Sequence, residues 1–501
     1  MFDKIKRLGT DTAIYGVSTI LGRFLTFILT PLYANILVPS ELGVVATVFA
    51  YLAFLNVIYS YGMESAYFKY SATLEIGDTK QNFAVPFTAL LFTSTIFSLV
   101  IIVLRLPLAT AAGVPTELSS IVLYSAGILA LDAWSIIPFA SLRLARKAKL
   151  FASIRLAGIL ITVILNVLFL IVFEYSVEGI FLSNLIGSAC TFTMLLPVIF
   201  RNMTAHWNKE LLPALLKFGL PYVPAGIATM VIQVVDRPIL ESLTDKATVG
   251  VYQANYRLGI FMMLIVSTVD FAWRPFFLTH ANDPEAKPLF ARILTYYFLV
   301  MVCVFLTISF FIGDVVRMPL LFGRSILPES YWQGLAIIPV VMLGYLFLGI
   351  SGNMSAGIYI EKKTKLLPPI TFFGAGVNIA ANYLLIPTMG IMGAAIATLL
   401  SYALMAIALY VVVRRFYPVQ YEFERMAKIA CAALIVYGMY FFFLAGDSTV
   451  LFKVALLFVF LFLMHSFKFF IPSELGRLAA MFTKRSHGSV LPPDGPSAPE
   501  P

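Results

Sequence analysis

Apolar runs about twenty residues long follow one another with only short breaks from residue 12 to residue 470. A bilayer core of about 30 Å needs about 20 apolar residues of helix to cross it. Inside that core every backbone N–H and C=O must be paired within the protein. A chain of this kind folds as a bundle of membrane-crossing helices. Strands of a β-barrel would alternate apolar and polar residues, whereas these runs are continuous. Fourteen windows qualify, at roughly 12–36, 42–62, 83–104, 117–141, 151–173, 177–200, 216–242, 249–272, 290–312, 330–352, 366–386, 391–413, 427–445 and 449–470. Composition agrees, with 60% apolar and 12% charged residues against about 25% charged in a soluble domain. A soluble enzyme, a disordered chain and a secreted disulfide scaffold are excluded.

The net charge of +9 is first a matter of topology, because cytoplasmic loops collect Lys and Arg. With the N-terminus inside, only Arg105, Lys246, Arg317 and Arg324 fall in outer loops, and most other cations fall inside. This predicts cytoplasmic N- and C-termini. The first run follows Lys4, Lys6 and Arg7 without a small-residue cleavage site, so it reads as an uncleaved first span. The loops are too short for a soluble domain, and nothing in the charge pattern calls for nucleic acid.

Two parts of the chain resemble each other. Gly179 and Arg201 align with Gly393 and Arg415 at one offset, the preceding spans carry Asn166 and Asn382, and Ser40-Glu-Leu-Gly43 resembles Thr248-Val-Gly250. Spans 1–6 (residues 1–213) and 7–12 (214–415) read as two copies of one unit. Six is even, so the repeat is parallel, with a central cleft as the substrate route. Residues 416–483 append spans 13 and 14 with a cytoplasmic end. The stretch 484–501, with five prolines, reads as a disordered tail.

Charges at bilayer depth are expensive and therefore informative. Arg23 lies roughly 16 Å into span 1 at 1.5 Å per residue, where it either faces the cleft as an anion site or partners a nearby carbonyl or carboxylate. Asp236 and Arg237 are adjacent in span 7. Neighbours on a helix point about 100° apart, so no mutual salt bridge is expected. Arg237 either looks into the protein or snorkels to the outer surface. Arg257 sits in the polar stretch Tyr252-Gln-Ala-Asn255-Tyr256, which suits a wet cavity better than lipid. Asp132 in span 4 either carries a coupling proton or pairs with an arginine. Arginine binds phosphate bidentately, so the cleft favours an anion. The candidate binding residues are thus Arg23, Arg237, Arg257 and Asn255. Asp132 and Asp236 are candidates for ion coupling or cavity pairing. Arg143, Arg146 and Lys147, with Lys149, form a candidate entrance cluster, which topology alone also explains. Pro31 and Gly219-Leu-Pro221-Tyr-Val-Pro224 mark hinges or static kinks.

Cys190, Cys303 and Cys431 lie in apolar runs, and the four histidines are scattered singly. No Walker loop, nucleophile elbow or HExxH occurs. ATP-driven transport within the chain, a metal site and a cofactor are not expected.

Gly22-Arg23-Phe-Leu-Thr-Phe, Pro31-Leu-Tyr, Pro39-Ser-Glu-Leu-Gly43 and Tyr61-Gly62-Met-Glu64-Ser-Ala resemble the opening of bacterial polysaccharide-biosynthesis flippases. These are the Wzx-type members of the multidrug/oligosaccharidyl-lipid/polysaccharide (MOP) superfamily, which also holds the MATE transporters. Asp236-Arg237, Val249-Gly250-Val-Tyr252 through Arg257-Leu-Gly259, and Asn382-Tyr-Leu-Leu-Ile-Pro387 through Thr398 continue the likeness over spans 1–12. The resemblance implies an all-α polytopic fold with two six-helix lobes around a V-shaped, cationic cavity. It implies export of a polyprenyl-pyrophosphate-linked oligosaccharide from the cytoplasmic to the periplasmic leaflet of the bacterial inner membrane, coupled to H⁺ or Na⁺. Membrane lipid, the glycan polymerase and the glycosyltransferases of the pathway are the implied partners. Many members have twelve spans; fourteen is nearer the lipid II flippases, so a lipid II flippase is one alternative. A MATE-type cation antiporter is another, and would need cavity carboxylates. A membrane glycosyltransferase is disfavoured, because the longest outer loop, 313–329, is small.

Overall fold

The computed structural model describes residues 20–470 except 23, 26, 282, 320–324 and 444–448. The regular secondary structure of the described residues is helical, with one isolated bridge between Pro319 and Ser325. The helices are α1 (Ile20–Ile36), α2 (Pro39–Ser60), α3 (Met63–Thr73), α4 (Thr79–Val103), α5 (Arg105–Ala111), α6 (Ser120–Leu144), α7 (Ala148–Val167), α8 (Val177–Asn202), α9 (Leu211–Gly219) and α10 (Tyr222–Val234). They continue with α11 (Asp236–Leu243), α12 (Lys246–Leu258), α13 (Ile260–Thr279), α14 (Ala286–Arg317), α15 (Ile337–Met354), α16 (Ala356–Ile360), α17 (Leu367–Met389), α18 (Ile391–Val413), α19 (Phe423–Phe443) and α20 (Val450–Ser466).

Each window read from the sequence overlaps a helix. Twelve helical stretches among the described residues are long and apolar enough to cross a membrane. The first and last windows hold the shorter apolar helices Ile20–Ile36 and Val450–Ser466, so length alone supports twelve of the fourteen expected spans.

Two windows are broken where continuous helices were expected. Span 7 is split into α9, α10 and α11. Pro221 starts α10, and Pro238 near the start of α11 has no N–H to return to the preceding turn. Span 8 divides at Gly259 into α12 and α13. The polar α12 packs against α2, α11 and α15, which is why its Tyr, Gln and Asn side chains are tolerated. Protein, rather than acyl chain, surrounds most of them.

The helices cluster into two compact units. The larger comprises residues up to Phe290 and from Ile312 to Gln420. In its first half α8 packs on α6 and α7; in its second half α18 packs on α15 and α17. The same pairings in the same order are what a repeated six-helix unit produces. The halves meet where α2 crosses α12. A Cβ on Gly43 would run into the Lys246 carbonyl, and a Cβ on Gly250 into the Pro39 carbonyl. Lys246 precedes Gly250 by four residues, as Pro39 precedes Gly43, so each helix presents the same turn to the other. The Tyr331 hydroxyl donates to the Leu37 carbonyl at 2.9 Å, and Asn35 Nδ2 to the Ser325 carbonyl at 3.0 Å, which ties the same end. Asp245 caps α12 there, accepting from the Thr248 N–H and hydroxyl at 2.9 Å each. Those bonds hold its carboxyl below the usual aspartate range.

The smaller unit contains residues 291–311 and the chain from Tyr421 onward. Phe310 stacks near Tyr440 with ring centres 4.6 Å apart, and Phe305 near Tyr437 at 5.6 Å. Arg425 braces it, donating to Glu422 Oε2 at 2.9 Å and to the Phe469 carbonyl at 3.2 Å.

The crossing gives a direct prediction. Gly250→Leu or Gly43→Leu must push backbone away from backbone, and overpacking typically costs about 1–3 kcal/mol. Melting temperature and monodispersity in detergent should fall for both. Gly313→Ala should hold or raise them, because nothing lies within 4 Å of the added carbon and alanine favours helix by about 1 kcal/mol. Asp245→Ala should cost about 1 kcal/mol as a lost cap. A carboxyl with a depressed folded pKa stabilises above its unfolded pKa of about 3.9 and stops doing so as pH falls through the lower folded value. The Asp245→Ala penalty, read from melts between pH 7 and pH 3, should therefore shrink at the acid end.

Candidate functional site

The larger unit encloses a cavity of about 710 Å³. Three helices line it with side chains at helical spacing. From α6 come Asp132, Ile136, Phe139 and Arg143; from α7 Phe151, Arg155, Ile159 and Thr162; from α8 Asn184, Ser188 and Thr191. Steps of three and four residues keep each set on one face of its helix. Tyr33 of α1, Asn56 of α2, Glu64 of α3 and Arg257 of α12 complete the polar lining.

Charge is graded along this cavity. Arg143 and Glu64 sit near the α6–α7 turn, paired at 2.6 Å. Arg155 lies further in, 5.8 Å from the Phe139 ring, with no hydrogen bond or ion pair among the described residues. Asp132 accepts a hydrogen bond from the Ser188 hydroxyl at 2.8 Å. At the far end Tyr33 donates to Asn166 Oδ1 at 2.8 Å, and Arg257 is its electrostatic neighbour. Arg257 likewise has no hydrogen bond or ion pair among the described residues. Asn166 follows Arg155 by eleven residues on α7, so the backbone rises about 16 Å between Arg155 and the end where Tyr33 neighbours Arg257. Such a lining can hold an anionic, hydroxyl-rich head group. Among the described residues no cluster of His, Cys, Asp and Glu could hold a metal ion.

The expected site residues separate. Arg257, Asp132 and Arg143 line the cavity. Arg23 lies outside the described residues. Arg146 and Lys147 are exposed and do not line it. Asn255 is fully buried and donates to the Val251 and Tyr331 carbonyls at 2.8 and 2.9 Å, so it holds α12 to the Glu329–Gly334 turn.

Asp236 and Arg237 correct the sequence-based expectation. They do form a mutual ion pair, Arg237 Nη1 to Asp236 Oδ1 at 2.5 Å, with 6% and 1% of their side chains exposed. The angle of about 100° concerns the directions in which the two side chains leave the helix; Val235 before them is itself helical, with φ −68° and ψ −22°, and it is the reach of the arginine arm that closes the gap. The long guanidinium arm folds back, also reaching the Gln233 carbonyl at 2.6 Å and Gln253 Oε1 at 3.1 Å. It lies 4.3 Å from the Tyr256 ring, and the Tyr252 hydroxyl donates to Asp236. Neither residue lines the cavity.

Reading the sequence by depth missed Arg155, Asn56, Asn184, Ser188 and Glu64. Arg155 falls at the start of the 151–173 window, among the cations read as topology. The available signal was the period of small and polar residues on spans 5 and 6, Gly158-Thr162 and Asn184-Ser188-Thr191.

Breaking a buried ion pair from one side costs about 3–5 kcal/mol. Arg237→Gln or Asp236→Asn should therefore sharply lower the yield of folded protein. The double variant Asp236→Asn/Arg237→Gln should recover much of the loss in the same detergent melts.

A family model for "Polysaccharide biosynthesis protein" matches residues 32–330. A search of the curated proteins finds no match. The fold is similar to that of the lipid II flippase MurJ in an inward closed conformation, with 16% identity, TM-score 0.68, and coverage of 95% of this chain and 99% of that one. It is similar to an inward-facing multidrug resistance MATE family transporter of the MOP superfamily, with 16% identity, TM-score 0.63, and coverage of 78% and 94%. It is also similar to the Vibrio cholerae MATE transporter VcmN in its bent form, with 16% identity, TM-score 0.53, and coverage of 82% and 96%. At such identities these structures establish the fold, an all-helical MATE/MOP architecture. With more than half of its length matched by the family model, the chain belongs to the polysaccharide biosynthesis protein family.

Proposed function

We propose that the protein is a flippase that moves a polyprenyl-pyrophosphate-linked oligosaccharide from the cytoplasmic to the periplasmic leaflet of the bacterial inner membrane by alternating access. In this reading both termini are cytoplasmic. One observation carries it: Arg257, a guanidinium with no described ion-pair partner, faces a polar cavity inside a membrane-spanning body. A charge placed there needs a counter-anion, and a diphosphate supplies one with matched geometry. Binding cavities of about 300–1,000 Å³ take ligands the size of a few sugar rings. A volume of about 710 Å³ suits the head group, and the polyprenyl tail stays in lipid. The hydroxyl and amide groups of Ser188, Thr191 and Asn184 suit sugar hydroxyls.

Asp132 is the carboxylate facing the same space without a cation in ion-pair contact, and we assign it the coupling H⁺ or Na⁺. No covalent bond changes, so the protein acts as a transporter. Glycosyltransferases supply the substrate and a glycan polymerase consumes it. A second reading, lipid II as cargo, is favoured by the match to the lipid II flippase along 95% of this chain. The family assignment favours the oligosaccharide. Two arginines without ion-pair partners against one such carboxylate disfavour a cationic drug.

Arg257→Gln should reduce surface glycan at least tenfold while membrane abundance stays at the wild-type level. Asp132→Asn should leave head-group binding intact and remove the dependence of flipping on an imposed ion gradient in proteoliposomes. Wild-type glycan in Arg257→Gln cells would sink the proposal. Lysis from blocked peptidoglycan synthesis, with glycan export intact, would transfer it to lipid II.

A further inference from the structure

The cavity carries one more charged arrangement, at its mouth. Arg143 ends the α6 face and Glu64 stands in the first turn of α3. They pair at 2.6 Å while 46% and 43% of their side chains remain exposed. Arg143 also lies 4.8 Å from the Phe68 ring. One cavity-lining step inward, Arg155 has no hydrogen bond or ion pair among the described residues. Along α7 the backbone rises about 16 Å from Arg155 to Asn166, whose partner Tyr33 neighbours Arg257. A diphosphate spans only about one-third of that rise at ordinary bond lengths, which favours two separate levels.

We propose that Arg143 and Arg155 form a second, shallower anion subsite for the substrate's diphosphate, and that Glu64 is the anion seated on Arg143 in this state. Loading then exchanges one oxyanion for another: phosphate oxygens take the Arg143 guanidinium, and Glu64 withdraws. Three features make the exchange easy. Ion pairs exposed to water are weak, so little is lost when this one opens. The departing carboxylate stays at the N-terminus of α3, where helix dipoles favour negative charge. Arg155 has no carboxylate within ion-pair distance, although Asp132 is its electrostatic neighbour in the same cavity, so an arriving diphosphate meets one cation outside any ion pair before it must displace Glu64 from the other.

The position of Glu64 is also tied to the second half of the larger unit. Tyr61 and Gly62 turn the chain with φ of 28° and 71°, and Gly62 lies against the Gly219 backbone with no room for a Cβ. Gly219 ends α9, directly before the Pro221 break in span 7. The residue that guards the subsite therefore hangs from a contact between the second span and the broken seventh.

The inference rests on the flippase reading only for naming the diphosphate. Its test is calorimetric titration of the full chain, in phosphatidylcholine nanodiscs, with inorganic pyrophosphate. Glu64→Gln should tighten binding about two- to fivefold by removing the internal competitor, the range an exposed ion pair allows. Glu64→Gln/Arg143→Gln should erase that gain, and Arg155→Gln should weaken binding at the mouth. Glu64→Gln/Arg257→Gln should keep the gain, because the deep level is separate. An unchanged or weaker Glu64→Gln overturns the proposal. So does a gain that survives loss of Arg143, or one that vanishes with Arg257. Repeating the titration in phosphatidylglycerol nanodiscs should preserve the gain; its abolition there would assign the mouth to membrane lipid and also overturn the proposal. Wild-type surface glycan in Arg257→Gln cells removes the flippase reading without touching the Glu64–Arg143 coupling, so the two failures are distinguishable.

Discussion

Backbone against backbone at Gly43 and Gly250 is the contact on which the rest of the larger unit depends. Two helices can approach this closely only where neither carries a side chain, as in other small-residue crossings in membranes. The approach seals one end of the unit. It also fixes the rotation of α12 about its own axis. Arg257 follows Gly250 by seven residues, two helical turns, so the face that meets α2 at one level presents its guanidinium to the cavity at the next. The Asp245 cap below and the Asn255 bonds to Tyr331 hold the same helix at other points. The cavity-facing arginine is thus a consequence of the crossing rather than a separate feature.

The two arginines near this helix show how burial decides a charge's role. Arg237 is enclosed and fully engaged by Asp236, Gln233, Gln253 and the Tyr256 ring. A charge in that setting must be paired or it destabilises the fold. Arg257 has protein on most sides but opens to a polar cavity, where water or a ligand can supply the missing anion. Arg143 is intermediate, exposed and paired with a carboxylate that has an alternative place at the α3 N-terminus. A pair satisfied within the fold is structural, an arginine without a partner is receptive, and a weak exposed pair can be exchanged.

Much of the fold was legible in the sequence because the bilayer restricts the solutions so strongly. Continuous apolar runs located the helices, and weak matches such as Gly43 with Gly250 and Asn166 with Asn382 marked equivalent turns of the repeat. Legibility failed at breaks and at faces. Asp236 and Arg237 were placed apart by the angle between helix neighbours, whereas the long Arg237 arm folds back to reach both Asp236 and the Gln233 carbonyl. Arg155 did not stand out as cavity lining because depth along the chain says nothing about which way a helix face turns. Asn255 looked like cavity lining because polarity alone does not separate a wet wall from a buried bracket.

The sequence by itself determined that this chain is a polytopic helical membrane protein, approximately where its helices run, and that arginine and aspartate would be carried into a low-dielectric interior. Those follow from transfer energetics, which act on each segment independently of its neighbours. Only the tertiary structure decided which of those charges neutralise one another and which confront open space. Partnership between Asp236 and Arg237, or Glu64 and Arg143, depends on helix breaks, rotations and crossings measured in single ångströms, and these arise only when the helices pack together.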